Sequence, residues 1–203
     1  MTTLTSTGAA PKRSQAATSD VVTRRRGRAA LARRLLAAAP DAASLLDWDT
    51  LDAAPAWLAM SDPELMVLAR QVGAVLCAAS IRQWIDGARL GAARAAVGTP
   101  FLQALLALPD GQVLPRNVAP CPRIDAAEQV APMLRTSGLV VLLASLPSGP
   151  LRRAATALLG STASTMAPSL AHSLVSRAQS LTAPTAAMRT QGPATKSSEG
   201  VNA

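Results

Sequence analysis

The sequence predicts an all-α protein, and three observations carry that reading. Alanine and leucine dominate the composition, with one Phe (Phe101), no Tyr and few β-branched residues, which favours helix over strand. Apolar residues recur every three or four positions along most of the chain, the spacing of one helix face. Proline and glycine then punctuate the sequence at helix-length intervals. The 203 residues suit one compact domain of about seven to nine helices over 24–181, with an internal Pro-rich loop at 109–122 and tails at 1–23 and 182–203.

Residues 1–23 are mostly Thr, Ser, Ala and Pro with scattered charge. Too few large apolar side chains are present to repay the entropy of ordering, so a disordered basic tail is expected. From Arg24 to Ala39 the spacing of Leu31, Leu35 and Leu36 predicts a helix, which Pro40 ends. Asp41 is placed to cap a short helix holding Leu45, Leu46, Trp48 and Leu51, with a break near Pro55. Ser61-Asp62-Pro63-Glu64 is the best-marked helix start: a capping side chain, a proline in the first turn and a carboxylate favoured by the helix dipole.

The helix that follows is expected to run to Ile85 and to bury Leu65, Leu68, Val72, Val75, Leu76 and Ala79. Asp86-Gly87 punctuates it. A second helix, with Leu90 and Val97 inward, closes at Gly98, and a third starts at Thr99-Pro100 and ends before Pro109. Four prolines in 109–122 forbid continuous helix there. Helical patterns resume at Asp125 to Leu134, Gly138 to Leu146, Pro150 to Leu159 and about Pro168 to Ser180.

Charge is unevenly placed. Residues 1–34 hold eight basic side chains against Asp20 alone, almost the whole of the net +8. Asp41, Asp47, Asp49, Asp52, Asp62 and Glu64 follow with no basic residue among them. Cys77 and Cys121 lie 44 positions apart without a secretory signal, so reduced cytosolic thiols are expected rather than a disulfide framework. The most apolar run, Leu139 to Leu146, is far short of the roughly 20 residues that span a bilayer. The opening residues carry no apolar signal core; their Arg-, Ser- and Thr-rich character gives an organellar transit peptide as the lesser reading.

No catalytic, cofactor-binding or metal-ligating set is expected. GARLGAARAAVG lacks both the GxGxxG order and a GK[ST] ending, so Gly87 and Gly91 read as a cap or a close helix packing. His172 is the only histidine and no serine or cysteine stands in a nucleophile motif. One His and two distant Cys make no recognised metal site. The useful surface candidate is Asp47, Trp48, Asp49 and Asp52, with Trp57: an aromatic anchor among carboxylates suits docking of a basic protein partner. Those carboxylates are expected to contribute little to folding. The alternative is a helical nucleic-acid-binding protein using the basic segment 24–34, which lacks interleaved aromatics for base stacking.

Leu68 to Leu106 carries an apolar helix with a small-residue patch (Gly73, Ala74), then Arg82, Trp84 and Ile85, then Asp86-Gly87 and a second Ala/Arg/Leu-rich helix closing in glycine. This stretch of about 40 residues resembles the K-type accessory subunit of the bacterial type III secretion sorting platform, closest to the Hrp-type branch. The positions that carry the resemblance are Arg82, Trp84, Asp86 and Gly87. It implies a non-enzymatic cytosolic adaptor at the cytoplasmic face of the inner membrane, linking the pod protein to the cytoplasmic domain of a membrane-ring protein. It implies no cofactor, no small-molecule substrate, and membrane association only through the apparatus.

Overall fold

The structure is a computed structural model that describes residues 12–113, 121–161 and 166–183, with side chains from residue 25 onward. Of the tails expected at 1–23 and 182–203, residues 1–11 and 184–203 lie outside the described residues, as does half of the Pro-rich loop, 114–120. Every regular element among the described residues is helical. Among the described residues there are ten α-helices: α1 Lys12–Ala38, α2 Pro40–Ala43, α3 Trp48–Asp52, α4 Asp62–Leu76, α5 Ala78–Ile81, α6 Gly87–Val97, α7 Thr99–Leu106, α8 Ala127–Ala144, α9 Pro150–Leu159 and α10 Pro168–Thr182, with 3-10 turns at Ala56–Ala59 and Asp110–Gln112. The count exceeds the seven to nine expected because α2, α3 and α5 are single turns of four or five residues.

The chain divides into two compact units, where one body was expected: residues 1–62 with 147–160, and 63–146 with 161–203. In the first unit α1 begins twelve residues before Arg24, so 12–23 carry helical backbone where a disordered tail was expected. No proline or glycine separates Lys12 from Arg26. Once Leu31 and Leu35 anchor the helix in the core, each further residue adds a hydrogen bond without a new nucleation cost. Pro40 ends α1 as expected. The short helix expected from Asp41 splits into α2 and α3, because Asp47 takes the N-cap of α3. α9, far along the chain, returns to pack against α1 and α2, and Gly160 closes it in the left-handed conformation at φ 59°.

The second unit is built on α4 and α8. α4 starts at Asp62, at the capping cluster, and buries Leu65, Leu68, Val72, Val75 and Leu76 as expected. It stops at Leu76 rather than running to Ile85: Cys77 leaves helical geometry (φ −90°, ψ 9°), and α5 restarts at Ala78. α8 departs from expectation the other way. Pro132 and the Thr136-Ser137-Gly138 stretch do not divide it. Pro132 stands in its second turn, where the missing N–H forfeits only the bond to the Glu128 carbonyl, and Gly138 is required by packing. A Cβ on Gly138 would overlap the Ala69 carbonyl of α4, and one on Gly73 would overlap the Leu134 carbonyl of α8. The two helices therefore cross backbone to backbone at a reciprocal pair of glycines. The close approach expected at Gly87 or Gly91 is absent, since a Cβ at either would meet open space.

The cysteines overturn the expected reduced pair: Cys77 and Cys121 form a disulfide, with Cα atoms 5.1 Å apart. Linear separation carried the wrong inference, because α5 to α7 double the chain back and bring the two into bonding geometry. Closing a loop with a sequence separation of 44 removes denatured-chain entropy equivalent to about 4 kcal/mol in the chain-entropy account.

Candidate partner-docking surface

The acidic segment of the first unit is ordered by its own carboxylates. Asp47 precedes α3 in extended conformation and its side chain accepts from the Thr50 N–H at 2.7 Å, satisfying one of the helix's orphan donors. Hydrogen bonds from Thr50, side chain first and then backbone, hold the Asp47 carboxyl below the usual aspartate value. Asp52, the last residue of α3, pairs with Arg28 of α1. Asp62 pairs with Arg34, whose other nitrogen donates to the Met60 carbonyl at 2.8 Å. Two of the basic residues in 24–34 are thus spent on the acidic segment within the same unit.

That cap fixes what α3 shows to solvent. Trp48, the first helical residue, is 64% exposed, and Leu45 in the preceding turn is also 64% exposed. Leu51 points the other way and is buried. Asp41 and Asp49 are exposed and make no ion pair among the described residues. The sequence candidates therefore separate into three groups. Trp48 and Asp49 are available to a partner, Asp47 and Asp52 are occupied, and Trp57 is withdrawn: it is 2% exposed in the core of the 3-10 turn at Ala56–Ala59, so it cannot dock anything. Leu45 was not singled out from sequence. It was placed only as a member of the short helix after Asp41, which the structure splits into α2 and α3.

Arg82, Trp84, Asp86 and Gly87, in the second unit, form a structural junction. Asp86 caps α6 by accepting from the Ala88 N–H at 2.9 Å, and Gly87 is the first helical residue. That backbone bond, followed by the Arg89 contacts, holds the Asp86 carboxyl below its usual value. Arg89 reaches Asp86 at 3.2 Å and the Ile124 carbonyl at 3.0 Å, and its guanidinium lies 5.5 Å from the centre of the Trp84 ring. Arg82 pairs with Asp110 at 2.9 Å. These contacts border an open groove of about 490 Å³ lined among others by Trp84, Arg89, Cys121 and Ile124. Ile85, between the junction's anchors, is 98% exposed.

His172 is exposed on α10, and its Nδ1–H donates to the Pro168 carbonyl at 2.8 Å. Among the described residues no three His, Cys, Asp or Glu side chains are grouped to hold a metal ion, and no helix is long and apolar enough to cross a membrane. No protein-family model matches the chain, and no curated protein or solved structure matches it either.

Proposed function

We propose that the chain is a non-enzymatic helical adaptor of a type III secretion apparatus, acting at the cytoplasmic face of the inner membrane and joining the pod protein to the cytoplasmic domain of a membrane-ring protein. The resemblance over Leu68 to Leu106 supplies the apparatus. The observation that carries the adaptor reading is the exposure of Trp48, 64% open on the short helix α3. Tryptophan is the residue most enriched in binding hot spots, and exposing one costs solvation that a partner recovers. With Leu45 on one side and the Asp41 and Asp49 carboxylates nearby, the surface suits an apolar partner patch rimmed by Lys or Arg.

Nucleic-acid binding through 24–34 has less support. Arg28 and Arg34 already face carboxylates, which leaves Arg25, Arg26 and Arg33 as the exposed cations among the described side chains of that segment. The test is genetic. A strain lacking the chain is expected to assemble a defective apparatus and lose secretion, and a Trp48→Ala copy is expected to restore it only weakly. Undiminished secretion by the deletion strain would overturn the proposal.

A further inference from the structure

Cys77 and Cys121 are the chain's only cysteines, and the two sulfurs of their disulfide stand in unlike places. Cys77 is 1% exposed at the end of α4, whereas Cys121 is partly exposed and lines the open groove beside Trp84 and Arg89. We propose that Cys121 is a site of thiol–disulfide exchange, open to a dithiol reductant through that groove, and that the exchange releases residues 121–126 from α4. This stands apart from the adaptor reading and does not depend on it.

The direction of attack follows from access, because an incoming thiolate must approach a sulfur along the S–S axis, and Cys77 is 1% exposed whereas Cys121 is partly exposed on the groove. The thiolate bonds to Cys121 Sγ, the Cys77–Cys121 bond breaks, and Cys77 leaves with the electron pair. In its apolar surroundings the Cys77 thiolate takes up the proton that the attacking thiol gave to solvent. The second thiol of the reductant then attacks its own sulfur in the mixed disulfide and expels Cys121, which is protonated in turn. Two electrons and two protons pass to the protein, and the dithiol leaves as its disulfide.

Reduction removes the covalent tie but not the others on this segment. Ile124 remains buried and its carbonyl still accepts from Arg89, and the Gln129 side chain still accepts from the Asp125 N–H at 3.3 Å. Local loosening between Cys121 and Ala126 is therefore expected rather than loss of the unit. Arg123 reports it, since its side chain is 88% exposed and a trypsin cut there needs only that the backbone open.

The experiment treats the full chain with dithiothreitol under native conditions, then with iodoacetamide in one arm and trypsin in another. Three results are expected: no alkylation before reduction, alkylation of Cys121 well ahead of Cys77 after it, and cleavage after Arg123 faster by on the order of tenfold. Glutathione disulfide should reverse the change. Cys121→Ser should be cut after Arg123 at the reduced rate with or without reductant. The proposal is overturned if the air-oxidised protein already shows two free thiols, or if the bond resists dithiothreitol until the fold melts. It is equally overturned if both cysteines alkylate together, or if cleavage after Arg123 ignores the redox state.

Discussion

Two tryptophans nine residues apart stand in opposite surroundings. Trp57 is 2% exposed and Trp48 is 64% exposed. Truncating Trp57 to Ala should empty a large core volume and destabilise the first unit by about 3–5 kcal/mol. Truncating Trp48 should leave the melting temperature almost unchanged while weakening partner capture, and a large loss of stability in that variant would show that its ring is not free. Asp86 offers a pH test. Its carboxyl is depressed in the folded state, so the stability it contributes is present above the unfolded value near 3.8 and is lost as pH falls through the lower folded value. Asp86→Asn keeps an acceptor for the Ala88 N–H but loses the charge facing Arg89, so it should be slightly less stable than wild type at neutral pH and lack the acid-dependent component. Asp86→Ala should lose the cap at every pH. Thermal melts between pH 2 and 7 separate the two.

At the scale of elements, the helix starts at Asp62, Thr99, Pro150 and Pro168 were legible because each is written in local chemistry: a capping side chain or a proline at the first turn. The ends that went wrong depend on partners the sequence does not show. Gly138 looks like a helix breaker, yet it lies inside α8, where the Ala69 carbonyl leaves no room for a side chain. Cys77 looks like mid-helix, yet the chain turns there and is bonded to Cys121. The glycines sort by the same logic. Gly73→Ala or Gly138→Ala should each force α4 and α8 apart at the cost of several kcal/mol, whereas Gly91→Ala meets open space at an exposed position of α6 and should be neutral to stabilising by up to about 1 kcal/mol. Equal melting temperatures for all three variants would refute the reciprocal crossing.

For the molecule as a whole, the conspicuous feature of the sequence was charge, eight basic residues followed by six acidic ones. Part of that contrast is resolved within the first unit, through Arg28 with Asp52 and Arg34 with Asp62. Both pairs are partly exposed, so each is worth at most about 1 kcal/mol and fades with salt. They nevertheless change how the docking surface must be probed. Reversing Asp47, Asp49 and Asp52 together, harmless if all three were solvated, would remove the α3 cap and repel Arg28, so lost binding and lost fold would coincide. The candidate surface was thus legible in outline, as an exposed aromatic among carboxylates. Which carboxylates were free was not, because the Asp47 cap depends on where α3 starts and the Asp52 pair on where α1 lies. Trp48→Ala and Asp49→Lys are the clean changes. The most direct measurement is a calorimetric titration of the purified pod protein and the ring protein's cytoplasmic domain against the wild-type chain, Trp48→Ala and Ile85→Ala. Measurable binding to the wild type, weakened about tenfold or more in Trp48→Ala (roughly 1.4 kcal/mol) and unchanged in Ile85→Ala, is the predicted result, and failure of both partners to bind the wild-type chain would contradict the adaptor account.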